Sequence, residues 1–229
     1  AEPEPQPALT TYTPPTGSIT GKANQYDPSG ASYTTNLNTA TVSLLNTNIS
    51  TVSDAAGNYT LNGVPSGMYT ICIKRPGSRT CQFQQVSFPG SGVMFKDIHI
   101  ADSATAIFSS ATVKDTLQFS QHKMAVKINL IPSSTGAGAL VIYSKTGIPD
   151  INNYSSFGTN YNYMSISANS SSAQSNIMVS GGAGTYNVRI YPYSNSPSYG
   201  EKYYDYPTAK YVFIGQGTPL PTTYTVTIQ

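Results

Sequence analysis

Tryptophan is absent from these 229 residues, and histidine and cysteine occur twice each. Charged side chains make up 10% of the chain, against about 25% in an ordinary soluble domain. Each scarcity excludes something. Seven Asp, three Glu, His99 and His122 are the whole stock of acids and imidazoles. That is too thin a supply to suggest a proton-transfer centre or a metal cage, so neither enzyme, cofactor nor metal is expected. His99 and Asp97 lie two apart and read as a solvated pair on one strand face. The twelve Lys and Arg are scattered, net charge is +2, and no electrostatic footprint for nucleic acid or an anionic membrane results. No apolar run approaches the ~20 residues of a membrane-crossing helix. Neither a Gly-x-Ser-x-Gly elbow nor a His-Glu-x-x-His motif occurs, and Gly17-Ser18-Ile19-Thr20-Gly21-Lys22-Ala23 is too short for a phosphate loop.

Long stretches of 3.6-residue apolar periodicity are also missing. Thr, Val, Ile and Tyr recur instead in short alternating runs between Gly and Pro clusters, which gives an all-β class. A length of 229 residues accommodates two ordinary cores. Residues 54–69 carry the clearest local signal. Asp54 to Asn58 is a turn in which Gly57 supplies positive φ, Tyr59 and Leu61 share one strand face, Gly63, Pro65 and Gly67 form a corner, and Tyr69, Ile71 and Ile73 share the next face. Two strands with matching apolar faces imply a sandwich.

The pattern Asp54-x-x-Gly57-Asn58-Tyr59-x-Leu61-x-Gly63-Val64-Pro65-x-Gly67-x-Tyr69 resembles the carboxypeptidase regulatory-like family. Gly17-Ser18-Ile19-Thr20-Gly21 and Ala40-Thr41-Val42-Ser43-Leu44 resemble that family's opening strands. The resemblance covers residues 17–101 and implies a transthyretin-like or Ig-like β-sandwich without catalytic residues, used as an accessory or structural module of secreted and surface proteins. In the second half, Gly138 to Tyr143, Gly147-Ile148-Pro149 with Tyr154, and Gly182 to Tyr191 resemble bacterial pre-peptidase C-terminal domains. That likeness implies a jelly-roll-like sandwich over residues 112–229. An acidic residue common in that family is Ala139 here, which argues against calcium.

Residues 1–16 hold five prolines and favour an extended arm. It reads either as a tether from a signal or lipid-anchor site, or as a segment held by its own body or by a neighbouring subunit. The chain begins at Ala1, as a mature secreted form would. Cys72 and Cys81 flank Lys74 to Arg79. A two-residue turn at Pro76-Gly77 would set them opposite each other and allow a disulfide in an oxidising compartment, although Pro at the first turn position also suits a longer loop. Val93 to Ile100 reads as the last strand of the first sandwich, and residues 101–112 as the boundary. Met124, Val126, Ile128 and Leu130 then share a face, and Ala139 to Tyr143 is apolar on both faces.

The chain has eighteen tyrosines, and many of them crowd into Tyr154 to Tyr163 and Tyr191 to Tyr211. Tyr12, Tyr199, Tyr203, Tyr204 and Tyr206 are candidates for an interface or a ligand surface, since Tyr offers a flat apolar face with a hydroxyl at low entropic cost. Together these readings describe a non-enzymatic, secreted structural or adhesive surface protein that self-associates into an extracellular filament. The alternative is a carbohydrate- or protein-binding accessory module of a secreted degradative system, with a polysaccharide as partner.

Overall fold

The computed structural model describes residues 13–78, 80–132, 136–151, 159–194, 202–205, 210–213 and 216–229, which form seventeen strands and no α-helix. The chain is all-β. Strand β1 (Thr16–Tyr26) is the axis of its first half. Along one side it pairs antiparallel with β4 (Asn58–Pro65). Along the other, β7 (Val93–Phe95) and then β8 (Ile98–Ala101) follow it in parallel. A second sheet runs, from edge to edge, through β3 (Ser50–Val52), β2 (Thr41–Leu44), β5 (Gly67–Lys74) and β6 (Cys81–Phe88).

Alternation decides what lies between these sheets. Ile19 and Ala23 from β1, Tyr59 and Leu61 from β4, Ile71 and Ile73 from β5 and Ile98 and Ile100 from β8 are all at most 2% exposed and form one core. Each such aliphatic side chain contributes about 1.5–3 kcal/mol on full burial. A bulge between Gly17 and Ile19 shifts the β1–β4 register, so that Val64 returns to the core after Gly63. The Asp54 turn forms as expected: Asp54 Oδ1 accepts the N–H groups of Ala56 and Asn58, and Gly57 has φ +85°. The corner after Pro65 carries the chain from one sheet to the other, which is why β4 and β5 never pair.

In the second half, β10 (Gln121–Leu130) lies between β9 (Phe108–Gln118) and β13 (Ser172–Ile177). Its facing sheet runs through β12 (Thr159–Ile166), β11 (Ala137–Ser144), β14 (Gly184–Tyr193) and β17 (Tyr224–Ile228). Met124, Val126, Ile128 and Leu130 bury together, as their spacing requires. All eight residues of β11 are buried, because both of its faces are covered. Ala137, Ala139, Val141 and Tyr143 face the inter-sheet core, while Leu140 and Ile142 pack with Ile151, Tyr191, Tyr193 and Phe213 on the far side. Phe213 ends a two-stranded ribbon of β15 (Lys202–Asp205) and β16 (Lys210–Phe213).

Three local expectations change. No disulfide joins Cys72 and Cys81, since Cys81 stands opposite Ile73 while Cys72 stands opposite Gln82. Cross-strand partners share a face and sequence neighbours do not, so the two thiols lie on opposite sides of the sheet. The Arg75–Ser78 turn itself closes, with the Ser78 N–H donating to the Arg75 carbonyl at 3.2 Å, so the one-residue slip falls between Ser78 and Cys81. The strand expected over Val93 to Ile100 is broken at Lys96 and Asp97 into β7 and β8. Finally, β9 already begins at Phe108, inside the stretch read as a boundary.

Candidate functional site

Several of the scarce titratable groups among the described residues make structural contacts. Asp97 occupies the break between β7 and β8, where its Oδ1 accepts the N–H of Lys22 at 2.8 Å. His99 turns edge-on to Phe83, with ring centroids 5.0 Å apart. Burial, and then the charge of Lys96, lowers its pKa below the ordinary imidazole value. Asp102 accepts the Tyr33 hydroxyl at 2.8 Å and lies 3.3 Å from Arg75 Nε, whose guanidinium covers the Tyr33 ring at 4.3 Å. Burial first, and Asp102 second, raises the Tyr33 pKa. This clamp ties the 27–33 loop and the Arg75–Ser78 turn to the end of β8. His122 and Asp115 meet at 2.6 Å near the β9–β10 turn. Among the described residues no three His, Cys, Asp or Glu side chains gather at a metal-binding distance.

Described tyrosines serve mainly as packing. Tyr59 is 2% exposed and donates its hydroxyl to the Lys96 carbonyl. Tyr186 does the same to Gly182, and Tyr163 to Ser194. A buried ring whose hydroxyl reaches a backbone carbonyl incurs no cost for the polar atom. Of the five candidate tyrosines, Tyr12, Tyr199 and Tyr206 lie outside the described residues. Tyr203 and Tyr204 sit on β15, opposite Val212 and Tyr211, and their side chains lie outside the described set.

Sequence reasoning missed other surfaces. Val93 and Phe95 share the outer face of β7, where Phe95 is 80% exposed. Their β1 neighbours are Ser18 and Thr20, and Thr20 bonds Thr60 across to β4. A Phe beside rows of hydroxyls on an outer sheet face suits an interface better than a core. The apolar run Val93-Met94-Phe95 gave no sign of this, because only Met94 points inward. Beside Tyr33 lies a cavity of about 420 Å³, lined also by Asn24, Gln25, Ser32 and Thr34. No local pattern announces it, since its walls come from β1, the 32–37 loop and the Asp54 turn.

No family model matches the chain. No curated protein matches it either. Solved structures with which it has some likeness include a type II cohesin–X-dockerin complex from Acetivibrio cellulolyticus. The identity there is 22% and the TM-score 0.32, over 40% of this chain and 61% of that one. A DUF3823 family protein from Bacteroides ovatus is 14% identical over 94% of this chain and 100% of its own, with a TM-score of 0.28. The full-length major pilin SpaD from Corynebacterium diphtheriae is 10% identical, with a TM-score of 0.27, over 93% of this chain and 64% of that one. The chain thus spans about 61% of the length of the first of these. Scores this low assign it no function.

Proposed function

We propose that this protein is a non-enzymatic, secreted structural or adhesive component of a cell surface, and that it works as the repeating subunit of an extracellular filament. On this reading the first sandwich is a carboxypeptidase regulatory-like accessory module, and the Pro-rich arm of residues 1–16 adds to a neighbouring subunit. The observation that carries the reading is the β7 edge. Among the described residues β7 pairs with β1 alone, and it presents Val93 and Phe95, 58% and 80% exposed, on its outer face. Covering such side chains on association is favourable, and an open edge is the standard site for adding a strand. Deleting residues 1–16 leaves both sandwiches folded and abolishes association, as read by light scattering beside far-ultraviolet circular dichroism. Unchanged assembly of the shortened chain contradicts this role for the arm.

The cavity beside Tyr33 supports a second reading, a polysaccharide-binding module, because an aromatic wall with amides and hydroxyls suits a sugar. A compact monomer that binds polysaccharide, and binds it more weakly as Asn24→Ala, favours that reading over the filament.

A further inference from the structure

The β9–β10 hairpin carries an anomaly at its turn. Gln118 pairs with Gln121, so Phe119 and Ser120 alone make the connection, and both have positive φ, 51° and 60°. A two-residue turn of this kind is ordinarily Asn-Gly or Asp-Gly, because side chains with a Cβ are strained there. An aromatic residue in that position costs stability and gives nothing to the core: Phe119 is 87% exposed, the highest value for a large apolar side chain among the described residues. Leu117, beside it, is 64% exposed. Lys123 lies over the Phe119 ring at 5.9 Å and bonds Gln118. Strain held at an exposed tip points to use of the tip.

The opposite end of the same hairpin is concave. Ile107, Phe108, Pro219 and Leu220, with Thr105 and Thr218 as its polar side chains, line a cavity of about 250 Å³ without a charged wall. Phe108 and Leu220 are 8% and 6% exposed and form its floor, while Ile107 is 60% exposed at the rim. Ile131 stands beside it, 56% exposed and bonded through its N–H to the Ile107 carbonyl. An apolar cavity of about 150 Å³ is enough to hold a benzene ring, so this one has room for a phenylalanine side chain. The knob and the cavity are separated by the 11 residues of β9, roughly 35 Å at about 3.4 Å per residue. A molecule cannot fill its own cavity with its own tip.

We propose that Phe119 of one copy seats in the Ile107–Leu220 cavity of the next. The occupant is a second copy of this chain because the exposed ring suits a cavity without charge, and the distance between the two keeps Phe119 out of its own cavity. Such a contact is heterologous and propagates as an open row along the β9 direction. The inference rests on the filament reading and supplies it with a defined longitudinal contact, distinct from the arm.

The test uses the full chain. Phe119→Asn with Ser120→Gly keeps the turn and removes the knob, and Ile107→Asp puts a charge at the rim of the cavity. Each variant alone sediments as a monomer at concentrations where the parent assembles, a shift of roughly thirtyfold for losing one aromatic anchor. Mixed one to one they form a dimer and nothing longer, because one intact knob meets one intact cavity. Independently, Phe119→Cys mixed with Ile107→Cys gives an oxidised cross-linked dimer. Variants that assemble like the parent, or a mixture that neither dimerises nor cross-links, overturn the contact. If those variants assemble normally while deletion of residues 1–16 abolishes assembly, the filament reading stands and this contact falls. A parent chain that stays monomeric defeats both.

Discussion

Two residues show how burial sets reactivity. The Cys81 thiol is 2% exposed, and burial, followed by the nearby Cys72, pushes its pKa up to about 12. A thiol in that state is a poor nucleophile. The folded protein should therefore react slowly with a thiol reagent, and the unfolded protein, without reductant, should release two equivalents. No titratable thiol after unfolding would restore the disulfide. His99 gives a pH signature. Burial holds its folded pKa below the ordinary 6.5, so the unfolded chain takes up a proton at a higher pH than the folded one. Its contribution is complete above about pH 6.5 and declines as pH falls from there through the folded value. Thermal melts from pH 7.5 to 5 should lose less stability in His99→Gln than in the parent, and parallel curves would refute the assignment.

At the scale of elements, β1 depends on the close approach of its parallel neighbour. Lys96 donates its N–H to the Thr20 carbonyl, and a Cβ at Gly21 would lie 2.1 Å from the Lys96 carbonyl oxygen. That neighbour is backbone and has little freedom to yield. Gly21→Ala should cost about 1–3 kcal/mol, the usual penalty of overpacking, measured as a lower denaturant midpoint; an unchanged midpoint would show that the segment moves aside freely. Elements with a strong period were legible in the sequence. The Asp54 turn, the buried face of β10 and the double burial of β11 follow from side-chain alternation and turn chemistry alone. What escaped depends on irregular turns and on contacts between distant segments. The cysteines fall out of register because Cys81 lies three positions beyond Ser78 where Ile73 lies two before Arg75, and Ser78 also bridges Asp102, a partner 24 residues on. The Phe119–Ser120 turn escaped because its residues contradict the usual turn preference, and the cavity at Ile107 joins residues more than a hundred positions apart.

At the scale of the whole molecule, the described residues hold no group of three His, Cys, Asp or Glu side chains placed for a metal ion, while large apolar side chains stand exposed at a sheet edge and at both ends of one hairpin. Three surfaces are assigned to association here: the arm, the β7 edge and the ends of the β9–β10 hairpin. Sedimentation velocity of the full chain over a wide range of concentration tests this most directly. The account predicts a distribution that lengthens steadily with concentration and collapses to monomer when residues 1–16 are removed. A single monomeric boundary at every concentration would contradict it.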